Sequence, residues 1–199
     1  MSAAFRVTPR AMDAPAAATE IRAARLTDLV ELEAFINQFT GDGTLLPRTR
    51  KELARHLRDF RLAFATPAGA AAPILVGCAA LQLVNHDLAE VRSVALDPAW
   101  RGIGLGRRLV EALFEEARQL HLPRVFCLTR QVDFFARLGF AEVPKEKFPD
   151  KVWSDCRLCP RRHACDETAM ERELVQEPAG LAAGLLRPGP GPATGAVSR

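Results

Sequence analysis

Residues 97–117 read DPAWRGIGLGRRLVEALFEEA, in which an Asp-Pro pair that closes a strand leads through a glycine-rich turn into a helix. Apolar residues recur every three to four positions, so we expect a helix over about 104–120 with one buried face. Glycines let the backbone approach a ligand closely, and the first-turn amides lie unpaired at the positive end of the helix dipole. Three arginines surround the turn: Arg101, Arg107 and Arg108. The segment therefore predicts an anion site, and an ordinary glycine turn is the alternative.

Two other phosphate-binding motifs do not fit this turn. A dinucleotide-binding fingerprint that began at Gly102 would need glycine at position 107, where the chain has Arg107. A P-loop would need Gly-Lys-Ser or Gly-Lys-Thr, which the turn lacks. We therefore expect a different kind of strand-turn-helix junction to hold the anion.

The elements around the turn predict a mixed α/β sheet. Apolar runs bounded by turn residues indicate strands at 20–26, 60–65, 74–84, 88–98, 124–129 and from 140 onward. Helices are expected after a Thr27 cap, after the Thr49–Glu52 capping box, over 104–120 and over 132–138. The second and third strands should form an antiparallel hairpin. This order, with two helix-linked crossovers, differs from a uniform Rossmann alternation.

Composition and charge predict one domain between two tails. The chain has 199 residues, of which 1–19 are Ala-rich and 178–199 alternate Pro and Gly, so we expect disordered tails around a domain at 20–177 that includes a Cys-rich segment, 151–167. The tails carry the whole net charge of +3, which disfavours nucleic-acid binding by bulk charge. No apolar run approaches the roughly 18 residues of a membrane span, and no secretory signal is visible, so we expect no membrane partner and a cytoplasmic protein. Two arginines in the first tail leave a targeting peptide open.

Two motifs carry a resemblance to a known family. Arg101, Gly104 and Gly106 fit the pattern Arg/Gln-x-x-Gly-x-Gly/Ala, and FFARLGF at 134–140 fits an aromatic-aromatic-x-x-x-Gly-Phe segment. Over about 20–145 the chain resembles the GNAT superfamily of N-acetyltransferases, in which the first pattern joins the fourth strand to the third helix. The resemblance implies an α/β fold with a mixed, mostly antiparallel central sheet flanked by helices.

The resemblance also implies that acetyl-CoA is the cosubstrate. Backbone amides after Arg101 would hold its pyrophosphate, and amides near Val94 would polarise the acetyl carbonyl. The cofactor-binding residues that it implies are Val94, Ala95, Leu96, Arg101, Gly102, Ile103, Gly104, Leu105, Gly106 and Arg107.

Glu90 is the candidate general base. A carboxylate within AEVRSVAL, a segment otherwise suited to a sheet interior, is costly unless it is paired or used. The two-residue period of a strand should place it on one face with Arg92, Val94 and Leu96. A Glu90–Arg92 pair on a solvated face is the alternative, and composition alone does not decide between the two. The resemblance favours the base, because a carboxylate often has this role in the family.

The chain contains no tyrosine. In many GNAT enzymes a tyrosine at the position that corresponds to Phe135 protonates the departing thiolate of coenzyme A. Ser93, Thr129 and Cys127 are candidates for this role in name only, so we assign no general acid. The thiolate can leave without one, because its pKa is fairly low.

Within the superfamily the chain most resembles the short, single-domain N-acetylglutamate synthases. The segments that carry this likeness include GTLLPRTRKEL at 43–53, AEVRSVALDP at 89–98 and KVWSDCRLCPRRHACDE at 151–167. The first places Arg48 on the loop where the superfamily closes over its acceptor, and arginine can bind a carboxylate through two hydrogen bonds. We therefore expect Arg48 to bind the substrate carboxylate. Its expected helpers are Arg92, Arg130 and Lys151.

The resemblance thus implies acetylation of L-glutamate by acetyl-CoA, the first step of arginine biosynthesis, through direct transfer in a ternary complex. No Ser/His/Asp or Cys/His set is spaced to form an acyl-enzyme. One alternative is a GNAT enzyme for another small amine or a protein N-terminus. Another, from a different class, is a non-catalytic acyl-CoA sensor. A homodimer is left open.

A cluster of metal-ligand residue types lies near the end of the domain. Cys156, Cys159, His163 and Cys165 have the composition of a zinc site without its usual second Cys-x-x-Cys pair. Packed or redox-sensitive thiols are favoured over zinc, and we assign no metal site. Cys78 and Cys127 lie in apolar strands and are expected in the core.

Overall fold

The structure is a computed structural model that describes residues 18–41, 43–148 and 163–175. The strands of the described residues are β1 (Thr19–Ala23), β2 (Phe60–Ala65), β3 (Ile74–Leu83), β4 (Leu88–Leu96), β5 (Arg124–Thr129), β6 (Ala141–Glu142) and β7 (Thr168–Glu173). The α-helices are α1 (Leu29–Asn37), α2 (Arg50–Arg55), α3 (Leu105–Gln119) and α4 (Val132–Ala136). None of the helices in these ranges is long and apolar enough to cross a membrane.

The described strands form one sheet in the order β1-β2-β3-β4-β5-β7-β6. The pairs from β1 to β4 are antiparallel, β4 and β5 are parallel, and β7 runs antiparallel to both of its neighbours. The parallel pair is connected through α3, as expected of a strand-helix-strand crossover. The predicted fold class, a mixed and mostly antiparallel sheet flanked by helices, is therefore confirmed.

The prediction of a last strand after 140 was incomplete. The strand at 141–142 is only two residues long, and β7 lies between it and β5, where the sequence analysis expected no further strand. In TAMERE only Ala169 and Met170 are buried, and they are adjacent, so neither an alternating nor a continuous apolar pattern marks the segment. Pairing with β5, rather than local sequence preference, makes this segment a strand.

Helices cover both faces of the sheet. On one face the buried side of α3 packs on odd-numbered residues of β4, such as Ala89 and Val91. On the other face α1 and α2 pack on β2 and β3 through an apolar cluster that includes Phe35, Leu53 and Leu62. The sheet is thus a shared central layer with a separate core on each side.

The sheet opens between its fourth and fifth strands. The two strands pair only from Leu88 with Arg124 to Glu90 with Phe126. Beyond that point β4 continues to Leu96 alongside β3, while β5 continues to Thr129 alongside β7. The strands diverge after Glu90, so backbone groups of the second half of β4 face this opening instead of a β5 partner.

A β-bulge interrupts β4 at the opening. Cys78 pairs with Ala95 and Ala80 with Arg92, so two steps along β3 oppose three along β4. Ser93 has a φ of 52°, a left-handed conformation that is uncommon for a residue other than glycine. The thiol of Cys78 donates a hydrogen bond to the Ser93 carbonyl over 3.3 Å, which stabilises the bulge from the neighbouring strand.

The bulge corrects the prediction that four residues share one strand face. Glu90 and Arg92 do lie on the same side, but the extra residue inverts the alternation after them. Val94 and Leu96 consequently pack against the α3 core, and Ala95 packs against the α1–α2 core. The prediction was wrong because a strict two-residue period holds only while the ladder is regular.

The entry to α1 also differs from the prediction of a Thr27 cap. A 3-10 turn at Leu26–Asp28 precedes the helix, and the Asp28 carboxylate accepts a hydrogen bond from the Arg25 amide at 2.7 Å. Arg22 of β1 donates to both oxygens of the same carboxylate, at 2.6 and 2.8 Å. The capping box predicted for α2 is confirmed, with Thr49 and Glu52 each accepting a hydrogen bond from the other's backbone amide.

Candidate active site

The glycine-rich turn forms the N-terminus of α3. Gly102 and Gly104 have φ values of 81° and 80°, and a methyl group on either would meet nothing within 4 Å, so glycine is required there by backbone conformation rather than by space. The amide of Arg108 donates to the Gly104 carbonyl at 3.1 Å and begins the helical hydrogen-bond series. The amides of residues 105–107 precede that bond and form the positive end of a fifteen-residue helix. This geometry suits a bound phosphate.

The start of α3 packs closely on β3 and β4. A methyl group on Gly77 would lie 2.5 Å from a methyl carbon of Leu96, and one on Gly106 would lie 3.0 Å from another. The methyl group on Gly106 would also lie 3.5 Å from the ring of Phe134. Small residues on the strand and the helix therefore allow the helix N-terminus to approach the sheet at its opening.

The three arginines of the turn have different surroundings. Arg101 donates from Nε and Nη2 to the Leu96 carbonyl, at 3.3 and 3.2 Å, and so connects the turn to the end of β4. Arg107 pairs with Glu111 at 2.7 Å on the exposed helix surface. Arg108 donates to Thr19 of β1 at 2.6 Å. Of the residues predicted to bind the cosubstrate, Leu105 has its side chain buried in the α3 core, so only its backbone can face a ligand.

Glu90 is almost fully buried at 4% exposure. Its carboxylate lies 3.5 Å from Nη1 of Arg92, and it stands directly opposite Gln82 in the β3–β4 register. The predicted Glu90–Arg92 pair therefore exists, but the expectation of a solvated face for it was wrong, because the Arg92 side chain is only 12% exposed. A carboxylate held in this environment, beside the opening of the sheet, has the position that a general base would need.

A shallow cavity, open to solvent, lies on the α1–α2 side of the sheet. It extends from α2 across the start of β2, the second half of β3 and the centre of β4, as far as the bulge. The residues that line it are Arg48, Glu52, Leu53, His56, Asp59, Phe60, Ala80, Gln82, Arg92 and Ser93. The cavity thus brings together two of the predicted carboxylate-binding arginines, one from the loop before α2 and one from β4.

The acidic groups of the cavity are engaged by their neighbours. Hydrogen bonds from the Thr49 backbone and hydroxyl lower the pKa of Glu52 below its ordinary value, so this carboxylate is held at the start of α2. Asp59 lies 3.2 Å from Nδ1 of His56, and burial nevertheless raises the pKa of Asp59 above its ordinary value. Both carboxylates therefore belong to local pairs, and the cavity lining also contains two arginines, Arg48 and Arg92.

Three of these polar residues were not identified from the sequence. Gln82 could have been suspected, because it is the amide side chain in the otherwise apolar strand ILVGCAALQL. His56 and Asp59 had no comparable signal, since they follow a short helix in a segment rich in charged residues. Only the packing of α2 across the strand ends brings them to the cavity.

Arg130 is not part of the described cavity lining. Arg130, just after β5, donates a hydrogen bond to the Gly43 carbonyl on the loop before α2 and lies 3.8 Å from Asp166. It therefore connects the end of β5 to the loop that carries Arg48. Lys151 lies outside the described residues.

The aromatic pair of α4 separates into two environments. Phe135, the position at which the family resemblance implies an acid, is buried and meets the rings of Phe134 and Phe140 edge to face, with centroids 5.1 and 5.2 Å away. The ring beside the glycine turn is that of Phe134, through its approach to Gly106. Neither ring has a proton to donate, so no general acid is assigned here either.

The described cysteines are two buried thiols and one exposed thiol. Cys78 and Cys127 are buried as predicted, and burial raises the pKa of the Cys78 thiol to about 12 and that of Cys127 further still. Cys165 is exposed and accepts a hydrogen bond from Lys145 at 3.3 Å. No group of three metal-ligating side chains occurs within 18–41, 43–148 and 163–175. Two members of the predicted cluster, Cys156 and Cys159, lie outside those ranges.

The segment that contains this site is similar to proteins of a known family. Residues 31–140, which include both the glycine-rich turn and the cavity, match the acetyltransferase (GNAT) family. A protein of Chlorobaculum tepidum described as an uncharacterized N-acetyltransferase is 38% identical over 160 residues, which cover 80% of this chain and 99% of that protein. An amino-acid acetyltransferase of Mycobacterium tuberculosis is 35% identical over 138 residues, which cover 69% of this chain and 77% of that protein.

Solved structures with the same fold include coenzyme A complexes. The N-acetylglutamate synthase of Neisseria gonorrhoeae, complexed with coenzyme A and N-acetyl-glutamate, matches 81% of this chain with a TM-score of 0.67 and 27% identity. This chain spans 36% of that longer protein. A Mycobacterium tuberculosis protein in complex with CoA matches 78% of this chain and 99% of its own length, with a TM-score of 0.63 and 31% identity.

Proposed function

Because the chain belongs to the GNAT family of acetyltransferases, whose cosubstrate is acetyl-CoA, we propose that this acyltransferase acetylates the α-amine of L-glutamate. The proposed reaction would supply the first intermediate of arginine biosynthesis. The observation that carries the proposal is the cavity that Arg48 and Arg92 line from different elements. Arginine binds carboxylates through paired hydrogen bonds, and a dicarboxylic amino acid offers two such groups.

The residues that line the cavity are spread over a distance that suits an extended amino acid. It reaches from Phe60 at the start of β2 to Ser93 at the bulge of β4, across three adjacent strands. Neighbouring strands lie about 4.8 Å apart, so the span is roughly 10 Å, enough for a glutamate whose amine points toward the opening of the sheet. Arg92 would bind the carboxylate nearer the reacting amine, and Arg48 the carboxylate nearer α2.

Acetyl-CoA would bind from the other side of the opening. The amides of residues 105–107 would hold its pyrophosphate at the N-terminus of α3, with Arg107 adding charge from the first turn. Val94 to Leu96 lie in the half of β4 that has no β5 partner. Their backbone groups would contact the thioester end of acetyl-CoA and polarise its carbonyl. This arrangement would direct the acetyl group toward the cavity.

The proposed chemistry is direct transfer. Glu90 would accept a proton from the substrate ammonium, directly or through one water, and the free amine would attack the thioester carbonyl. The carbon–nitrogen bond forms as the carbon–sulfur bond breaks, and coenzyme A leaves as a thiolate that takes its proton from solvent. The buried cysteines cannot supply a nucleophile at neutral pH, because their thiols hold their protons.

The test is coenzyme A release from acetyl-CoA with a panel of free amino acids: glutamate, aspartate, glutamine, alanine and lysine. Glutamate should have the highest kcat/KM. Arg48→Ala should raise the KM for glutamate about 10- to 100-fold, because a charged hydrogen-bonding partner of a carboxylate is lost. Arg55→Ala is the matched control, since it removes the same charge from an exposed position of α2 that does not line the cavity.

Other outcomes of this assay would indicate a different function. Equal turnover of glutamate and the uncharged amino acids would contradict the proposal and favour a GNAT enzyme for another small amine or for a protein N-terminus. Binding of acetyl-CoA without turnover of any amine would indicate an acyl-CoA sensor. An Arg48→Ala protein that keeps the wild-type KM would remove Arg48 from the substrate site.

A further inference from the structure

Gln82 is a cavity residue with a specific place in the sheet. It is half-buried near the end of β3, it stands directly opposite Glu90 in the ladder, and it lines the cavity together with Arg92. Residues directly opposite on one face of an antiparallel pair have side chains close enough to interact. The amide group therefore lies beside both the proposed base and the proposed carboxylate-binding arginine.

Arg92 contacts both residues of that cross-strand pair. Its Nη1 donates a hydrogen bond to Oε1 of Gln82, and the same atom lies 3.5 Å from Oε2 of Glu90. One of these two oxygens belongs to a neutral amide and the other to a carboxylate. Nη1 of the guanidinium therefore lies beside two acceptor oxygens, but this pair of residues contributes only one negative charge.

The neutrality of the first acceptor has an electrostatic consequence. An amide oxygen fixes the direction of a guanidinium without cancelling its charge, whereas a second carboxylate would give the three side chains a net negative charge. In a partly buried site such a charge would repel a substrate carboxylate and attract a cationic amine. The identity of residue 82 therefore bears on which acceptors can bind.

We propose that Gln82 is a specificity-determining residue, which orients Arg92 through a neutral acceptor and so adds no second negative charge beside the carboxylate of the acceptor substrate. This inference rests on the proposed function, because it takes the acceptor to carry a carboxylate. Gln82 itself acts through Arg92 and is a positioning residue rather than a catalytic one.

Two variants separate orientation from charge. Gln82→Leu keeps the size of the side chain and removes the acceptor, and it should raise the KM for glutamate roughly tenfold. Its kcat and its KM for acetyl-CoA should stay within about threefold of wild type. Gln82→Glu keeps the acceptor and adds a charge, and it should raise the KM for glutamate further while the KM for the α-amide of glutamate changes less, since this compound lacks the carboxylate assigned to Arg92. Gln119→Glu, the same substitution at the exposed end of α3, is the control.

The outcomes distinguish this inference from the proposed function. If wild type does not prefer glutamate over glutamine, the proposed function fails and the inference fails with it. If wild type prefers glutamate and both Gln82 variants keep the wild-type KM for glutamate, the inference alone is overturned. A fall in kcat, in affinity for acetyl-CoA and in Tm together would show that Gln82 is only structural, which also overturns it.

Discussion

Glu90 has a burial that needs a physical reason. Leaving a carboxylate 4% exposed costs several kcal/mol unless charges or hydrogen bonds offset it, and Arg92 at 3.5 Å is one group that does so. The residue lies where β4 leaves its β5 partner, which is where the proposed general base is needed.

We predict that Glu90→Gln lowers kcat about 100-fold or more, with little change in the KM for acetyl-CoA. The amide keeps the shape of the side chain but cannot take a proton from the ammonium. Rising pH should restore part of the activity of the variant, because more of the substrate then arrives as free amine. Initial rates from pH 7 to 9.5 would test this, with Glu115→Gln on the exposed face of α3 as control. A variant with a wild-type rate at pH 7 would contradict the role.

For individual residues, the sequence indicated which charged side chains are unusual but did not indicate which groups they contact. Arg48 lines the cavity and Glu90 is buried in β4, and the roles that the sequence analysis gave them stay predictions. Arg130 proved to contact the loop backbone instead of the cavity, and His56 and Asp59 were missed. Which side chains meet in a cavity depends on how α2 crosses the sheet, and no local pattern encodes that crossing.

At the level of secondary structure, one side chain at the start of α1, Asp28, makes several interactions. The carboxylate of Asp28 accepts from the Arg25 amide and from the Arg22 guanidinium, so it joins the helix start to β1. The hydrogen bonds from Arg22 are the main cause of the lowered pKa of Asp28 in the folded protein. A carboxyl whose folded pKa is depressed stabilises the fold above its unfolded pKa, and that stabilisation is lost as pH falls through the folded pKa.

We therefore predict that Asp28→Asn lowers the free energy of unfolding by about 1–2 kcal/mol at pH 7. Asparagine can still accept from the Arg25 amide, so the loss reports on the charge that Arg22 binds. The difference from wild type should shrink as pH falls below about 4, because Asp28 of the unfolded chain takes up a proton there and Asp28 of the folded protein follows at a lower pH. Urea unfolding at pH 7 and pH 3 would measure it. A difference that stays constant across this range would show that the ion pair does not contribute.

The sequence predicted helices and strands that have a clear apolar pattern. It missed the features that depend on pairing with another strand. The bounds of β2 and β5 were predicted correctly, because each is a short apolar run between turn residues. The bulge at Ser93 was not predicted, since AEVRSVAL has nothing in it that breaks a regular strand pattern. For β7 the deciding interaction is with β5, some forty residues earlier in the chain, and half of its own residues are charged.

In the molecule as a whole, the two proposed substrate sites lie on opposite faces of one sheet. The N-terminus of α3 and the side chains of Val94 and Leu96 belong to one face, while Arg92 and the cavity belong to the other. The bulge at Ser93 is where β4 changes the face to which its alternate side chains point. An acyl group held at the α3 side can reach an amine at the cavity side only through the opening between β4 and β5.

This arrangement predicts a two-part pattern of protection in amide hydrogen exchange. Coenzyme A alone should slow exchange at the second half of β4 and at residues 103–107, since those amides are expected to bind it. Adding N-acetylglutamate should extend the protection to 43–59, the segment from the acceptor loop through the turn after α2. Strand β1, at the far edge of the sheet, should stay unchanged and serves as the internal control. Protection by coenzyme A at 43–59 instead of 103–107 would reverse the assignment of the two faces. Such a result would place the cosubstrate in the cavity and leave Arg48 and Arg92 to bind its phosphates.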